Sequence, residues 1–261
     1  MVTREVIDYL NSTFHPEYQE DYDNAGFLLG DAKSDYKGAL VALDLTPAVV
    51  DEAVELGMSL VVTHHPFIFT GVKRLTDATE TGRMTMKLIQ HGISVYAAHT
   101  NLDNLPWGVN GILAEKLGLT NTRILRSFAC DPNLGAGMVG ELPEGEECDV
   151  FLQRVKAAIG LPVVRCSAHE GAKPVCRVAI CGGSGAEFIG DALAARADIY
   201  LTADLKYHDF QRTDGHMVLA DIGHYESEQF AKEIIFRAIL EKFSNFACRI
   251  SETQEGVVKY I

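Results

Sequence analysis

Two rhythms divide the chain. Val6, Ile7, Leu10 and Phe14 recur at helical spacing, which predicts an amphipathic helix over residues 2–14. Unbroken apolar runs at residues 38–44, 59–62 and 93–99 read instead as short buried strands. Helical segments separate them at 46–57, 82–91 and 108–117, the first opened by Thr46 as N-cap and Pro47 at the first helical position. Asp23-Asn24-Ala25-Gly26, ahead of Phe27-Leu28-Leu29, predicts a turn feeding one more short strand.

The pattern weakens at residues 120–125. This places a domain boundary there, with an N-terminal α/β half over 1–125 and a C-terminal α/β half over 126–261. The second half continues with strands at 137–142, 163–167, 176–181, 198–204 and 217–221, and helices at 149–159, 186–195 and 227–243. Phe230, Ile234, Ile235, Ala238 and Ile239 form the buried stripe of the last helix, and residues 246–250 and 257–261 read as a terminal hairpin. Helix and strand alternate throughout, which gives an α/β (or α+β) fold with mixed sheets and argues against an all-α or all-β chain.

Five of the apolar runs end on a titratable or ligand-type side chain: Asp44; His64-His65; His99 with Asp103; Asp204 with His208; and Asp221 with His224. Sites in α/β sheets form at the carboxyl ends of strands, so these endings predict a polar pocket along that edge. The His64-His65 pair, stopped by Pro66, sharpens the picture. Neighbours on a regular strand point to opposite faces, so both rings serve one site only if the strand has ended or if two metal ions are present. His224 and Glu228, four apart at a predicted helix start, share one helix face. His64, His65, Asp103, His224 and Glu228 together give three imidazoles and two carboxylates. That is more than one catalytic zinc takes, and it suits two divalent ions about 3.5–4 Å apart. The mixed nitrogen and oxygen donors favour zinc, manganese, iron or cobalt over calcium or magnesium. The competing reading of these positions is a set of unrelated polar strand ends.

The formal net charge of −13 repels phosphate backbones and anionic lipid, so bulk nucleic-acid binding is disfavoured. A local cation can still hold an anionic small molecule. The six cysteines show no C-x-x-C pair, and free thiols suit a reducing cytoplasm. The first residues carry no cationic segment leading into an apolar run, and no apolar stretch approaches the ~20 residues of a membrane span. Neither an export signal nor a membrane association is expected, and the cytoplasm is the expected location.

The stretches Asp23-Asn24-Ala25-Gly26, Val62-Thr63-His64-His65-Pro66, His99-Thr100-Asn101-Leu102-Asp103, Thr202-Ala203-Asp204-Leu205-Lys206-Tyr207-His208-Asp209 and Asp221-Ile222-Gly223-His224-Tyr225-Glu226-Ser227-Glu228 occur in this order along the chain. Together they resemble the GTP cyclohydrolase 1 type 2 family, also known as the Ngg-one-interacting-factor-like proteins. The resemblance implies two α/β halves with a dinuclear metal site between them, and a ring-shaped homohexamer whose sites face an inner cavity. The ligands it implies match His64, His65, Asp103, His224 and Glu228, with Asp103 and Glu228 as the bridges. The family name implies opening of the GTP imidazole ring by addition of water at the purine C8.

Two functions follow from these residues. One is a metal-dependent hydrolase acting on a nucleotide or related substrate. His99, His208 and Glu226 are then candidates for acid/base work, although His99 or Asp204 suits the orientation of a ligand imidazole equally well. Lys206 is a candidate phosphate contact. Gly182-Gly183-Ser184-Gly185 reads as a strand-to-helix turn rather than an anion cradle, since it lacks the Gly-Lys-Ser/Thr ending of a P-loop. The other function is a non-catalytic metal-binding protein that stores or delivers metal, or is stapled by it. Open coordination positions and a substrate-shaped pocket separate the two.

Overall fold

The structure is a computed structural model that describes residues 1–168, 173–253 and 256–261. It divides into two compact units: Met1–Leu102 with Ala231–Glu255, and Asp103–Phe230 with Gly256–Ile261.

Unit 1 opens with α1 (Thr3–Phe14), which buries Val6, Ile7, Leu10 and Phe14 at the expected spacing. There follow β1 (Gly26–Leu29), β2 (Gly38–Ala42), α2 (Pro47–Glu55), β3 (Leu60–Thr63), α3 (Glu80–Gln90) and β4 (Ser94–Ala97). Strands β2, β3 and β4 are parallel, and β1 runs antiparallel to β4. Every residue of the three parallel strands is buried, as a sheet covered on both faces requires, which is why they read as unbroken apolar runs. The Thr46 hydroxyl accepts from the Val49 N–H at 3.2 Å, a cap that stabilises α2 by about 1 kcal/mol. Val49, Val50 and Ala53 of α2 and Met84 and Leu88 of α3 pack in one cluster with Leu40, Val61 and Val95. Because β2, β3 and β4 point the same way, Asp44, His64-His65 and His99 emerge along one edge of the sheet.

The chain leaves unit 1 within α4 (Thr100–Asp103). Unit 2 then contains α5 (Val109–Lys116), β5 (Thr120–Ser127), β6 (Gly135–Glu146), α6 (Cys148–Ile159), β7 (Arg165–Cys166), β8 (Val175–Ser184), α7 (Ile189–Ala194), β9 (Ile199–Ala203), β10 (Val218–Asp221) and α8 (His224–Glu228). Its sheet has the order β5-β6-β8-β9-β10-β7, with β8, β9 and β10 parallel and the other pairings antiparallel. The carboxyl ends of those parallel strands deliver Asp204 and, through the start of α8, His224.

Four local expectations are revised. The weakened pattern at 120–125 is β5, an edge strand whose first four residues are exposed, whereas the compact units divide after Leu102. Strand β8 continues through Gly182, Gly183 and Ser184 where a turn was expected, and a 3-10 turn at Ala186–Phe188 precedes α7. The long helix expected at 227–243 is two helices, α8 and α9 (Ala231–Lys242), and the chain crosses from unit 2 to unit 1 between them. Its apolar stripe runs on across the break, which hid the break from periodicity. Finally, β11 (Ala247–Ile250) pairs in parallel with β2 in unit 1, so the sheet order there is β1-β4-β3-β2-β11. Residues 257–261 form no strand and belong to unit 2. Part of the loop expected between residues 167 and 176 lies outside the described residues.

No described helix is long and apolar enough to cross a membrane. All six cysteines are free, with Cys148 and Cys181 buried and Cys130 and Cys176 exposed.

Candidate metal centre

His64 and His65 follow β3 directly. The Thr63 hydroxyl donates to the His65 carbonyl at 2.7 Å, and the N–H groups of His64 and His65 both reach the Leu43 carbonyl, at 3.1 and 2.9 Å. This curl, closed by Pro66, takes the backbone out of strand geometry, and the two rings lie side by side with centroids 5.0 Å apart. His99, beyond the end of β4, adds a third ring, 5.3 Å from His64 and 5.5 Å from His65.

Each of these rings is held through Nδ1. His64 Nδ1 lies 2.7 Å from the Ala98 carbonyl, His65 Nδ1 2.7 Å from Asp44 and His99 Nδ1 2.7 Å from Asp23. A carbonyl or an ionised carboxylate only accepts, so Nδ1 carries the proton and Nε2 the lone pair, the tautomer that metal ligation needs. Asp23 also accepts from the Thr100 N–H and hydroxyl. Burial pushes the Asp23 carboxyl up, but the bonds to His99 and Thr100 outweigh that and hold it at about 2. Asp23 therefore stays ionised beside His99.

In unit 2, α8 starts at Gly223, whose φ of +76° lies in the left-handed region that glycine tolerates. His224 and Glu228 share a face of α8 as their spacing predicted, with Nε2 2.9 Å from Oε2. His224 Nδ1 lies 2.7 Å from Asp204. Asp204 has a φ of +57°, a conformation that costs a non-glycine residue about 1–2 kcal/mol, and this strain sits on the residue that orients His224. The bond to Glu228, opposed by burial and reinforced by Asp204, raises the His224 pKa to about 9.

Glu228 is buried against the glycines of β8. A Cβ on Gly183, whose φ is +63°, would stand 2.0 Å from Glu228 Oε1. The Gly183 N–H donates to Ser227 Oγ at 3.0 Å, Ser227 Oγ donates to the His224 carbonyl at 2.9 Å, and the Gly182 N–H donates to Asn110 Oδ1 at 2.9 Å. Side chains thus occupy these amides, and the glycines cradle the Glu228 carboxylate. Asp103 closes α4, and its carbonyl accepts from Asn110 Nδ2 at 3.3 Å. Burial first, and then the charges of Asp103 and Glu228, push the Cys181 thiol far above its ordinary range.

The remaining candidates spread out. Lys206, Tyr207 and His208 are exposed on the loop after Asp204, with the His208 ring edge-on to Tyr207 and its Nδ1 3.4 Å from Gln211 Oε1. Glu226 bonds to Tyr260 and fills the space beside Gly223. Unit 1 therefore gathers His64, His65 and His99, and unit 2 brings His224 to Glu228. The sequence assigned no role to Asp44, Asp23, Ser227 or Gly183. Asp44 was visible as a strand-end carboxylate and Asp23 within its turn, whereas Gly183 showed only as one glycine of the turn read at Gly182-Gly183-Ser184-Gly185.

The model of the Duf34/NIF3 (NGG1p interacting factor 3) family matches residues 1–256. The chain is similar to a GTP cyclohydrolase 1 type 2 homolog of Streptococcus pneumoniae, 34% identical over 239 residues, which are 90% of this chain and 89% of the relative. A protein of the same description from Clostridium perfringens is 33% identical over 231 residues, 87% of each chain. Among solved structures, a hypothetical protein of Staphylococcus aureus matches with a TM-score of 0.91 at 29% identity, over 100% of this chain and 99% of that one. The chain belongs to the Duf34/NIF3 (NGG1p interacting factor 3) family.

Proposed function

We propose that the protein is a metal-dependent hydrolase acting on a nucleotide or related substrate, with two divalent ions of zinc, manganese, iron or cobalt held by His64, His65, Asp103, His224 and Glu228. The observation that carries the reading is the common treatment of the imidazoles. His64 and His65 each have Nδ1 fixed by a carbonyl or carboxylate, which makes Nε2 the nitrogen for a ligand, and His224 is fixed through Nδ1 in the same way with its Nε2 against Glu228. The description shared by the relatives, GTP cyclohydrolase 1 type 2 homolog, supports a nucleotide as substrate.

Two ions bound there would lower the pKa of a shared water toward neutrality and so supply a nucleophile. Around them the side chains have separate tasks. Asp44 and Asp204 hold the rings of His65 and His224, while Asp103 and Glu228 would supply the carboxylates that hold the ions. His99 is the favoured acid/base residue: its Nδ1–H is held by ionised Asp23, so Nε2 takes up and returns the proton. His208 and Glu226 are the other two candidates for that task, and exposed Lys206 offers a cation to a phosphate. We assign the protein to the cytoplasm, as a ring-shaped homohexamer.

The test begins with elemental mass spectrometry on protein purified without a tag. Two ions per chain are expected, with a sharp loss in His65→Ala at unchanged circular dichroism. Metal near zero after supply of zinc, manganese and iron would overturn the site. A nucleotide screen on loaded protein comes next. Turnover with metal retained supports the hydrolase, whereas metal release with no turnover on any nucleotide favours storage or delivery. Light scattering at a mass well below six chains would overturn the hexamer.

A further inference from the structure

We infer that Tyr22 and Phe69 form a stacking subsite beside His99 for a planar heteroaromatic ring of the substrate. This rests on the hydrolase reading above and names what its substrate must carry. The loop that follows His64-His65-Pro66 is apolar yet lies at the surface: Phe69 is 44% exposed, Val72 43% and Leu75 48%, and Tyr22 nearby is 62% exposed. The Phe69 ring stands edge-on to His99, with centroids 6.1 Å apart and planes at 78°. Tyr22 lies 6.3 Å from Phe69 at a tilt of 45°. Three rings thus run from solvent inward to the histidine cluster.

Two adjacent residues hold this row in place. Asn24 Nδ2 donates to the Ile68 carbonyl at 2.6 Å and pins the loop one residue before Phe69. Asp23 fixes His99 at 2.7 Å. One turn therefore sets the aromatic loop and the histidine relative to each other. Packing alone would bury these rings, and a metal ligand set needs no aromatic beside it. Exposed aromatic faces recognise the π-face of any flat base and tolerate differences in its edge, which fits a purine or a similar fused ring.

The experiment measures binding of GTP and of inorganic triphosphate, which has no ring, to the metal-loaded protein by calorimetry. Phe69→Ala and Tyr22→Ala are each expected to weaken GTP by about five- to hundredfold while triphosphate affinity and metal per chain stay unchanged. Phe69→Tyr should restore most of the affinity, and Asn24→Ala should weaken GTP with its metal retained. Unchanged GTP affinity in Phe69→Ala and Tyr22→Ala would overturn the subsite, as would an equal loss for triphosphate or no GTP binding by loaded wild type. Metal content keeps the two readings apart. A wild type without metal fails the hydrolase proposal, and a loaded protein indifferent to Phe69 fails only this one.

Discussion

Gly183→Ala is the sharpest single perturbation of Glu228, a proposed metal ligand in unit 2. The added Cβ would stand 2.0 Å from Glu228 Oε1 and 2.8 Å from its Cδ. Real Cβ contacts do not fall below 3.0 Å, so Oε1 must retreat by 1 Å or more. Glu228 is buried, and its other oxygen lies 2.9 Å from His224 Nε2, so the retreat disturbs that pair. Two effects add. The first is the left-handed backbone, φ +63°, which costs alanine about 1–2 kcal/mol. The second is the disturbed hydrogen bond of a buried charge, about 1–3 kcal/mol. Gly160, the C-cap of α6, separates them: its φ is +70°, but a Cβ there meets nothing within 4 Å. Gly160→Ala should therefore show the backbone effect alone and keep its metal. Gly183→Ala should lose about 1–3 kcal/mol more in denaturant unfolding, with most of its metal gone by elemental mass spectrometry. Equal destabilisation of the two variants, with metal retained in Gly183→Ala, would refute the cradle.

Further outcomes concern the carboxylates that hold the rings. Asp44→Ala and Asp204→Gly remove side chains that are 42% and 51% exposed, and glycine suits the left-handed backbone at residue 204, so both variants should fold. Chelator competition should show metal affinity reduced about 10–100-fold in each, and affinities within about twofold of wild type would exclude the orienting role. Asp23 gives a pH dependence. Its folded pKa, about 2, lies below the ordinary 3.8, so the unfolded chain binds the extra proton and stability rises with pH across that window. Metal-free wild type should thus lose stability as pH falls from 3.8 toward about 2, more steeply than Asp23→Asn. Matching acid slopes in the two proteins would remove the Asp23–His99 bond from the stability of unit 1.

Much of this was legible because parallel strands buried on both faces leave no alternative pattern. The runs at Leu40, Val61 and Val95 could be placed from apolarity alone, and the side chains that ended them marked the edge where a site forms. The four-residue spacing of His224 and Glu228 predicted a shared face, and the structure shows their side chains in contact. What escaped has physical reasons. An exposed edge strand, β5, resembles a linker, because half-burial removes the apolar signal without removing the strand. The break between α8 and α9 is set by a change of unit, and Phe230 and Ile234 keep the helical period across it. The role of Gly183 depends on a contact with Glu228, 45 residues away in the chain, which no local pattern encodes.

The two units reach the same solution by the same geometry. In unit 1, Asp44 lies just beyond β2 and holds His65, which lies just beyond the adjacent parallel strand β3. In unit 2, Asp204 lies just beyond β9 and holds His224, which follows the adjacent parallel strand β10. Neighbouring strands in a sheet are about 4.8 Å apart, so an aspartate at one strand end and a histidine at the next are within one hydrogen bond of each other with no further structure to place them. No sequence repeat accompanies this arrangement, because only the two strand-end positions are constrained and the crossovers are free to differ. The same geometry separates ligands from supports. An aspartate on the strand beside a histidine is drawn to Nδ1, whereas the two carboxylates proposed as metal ligands, Asp103 and Glu228, are carried on the short helices α4 and α8.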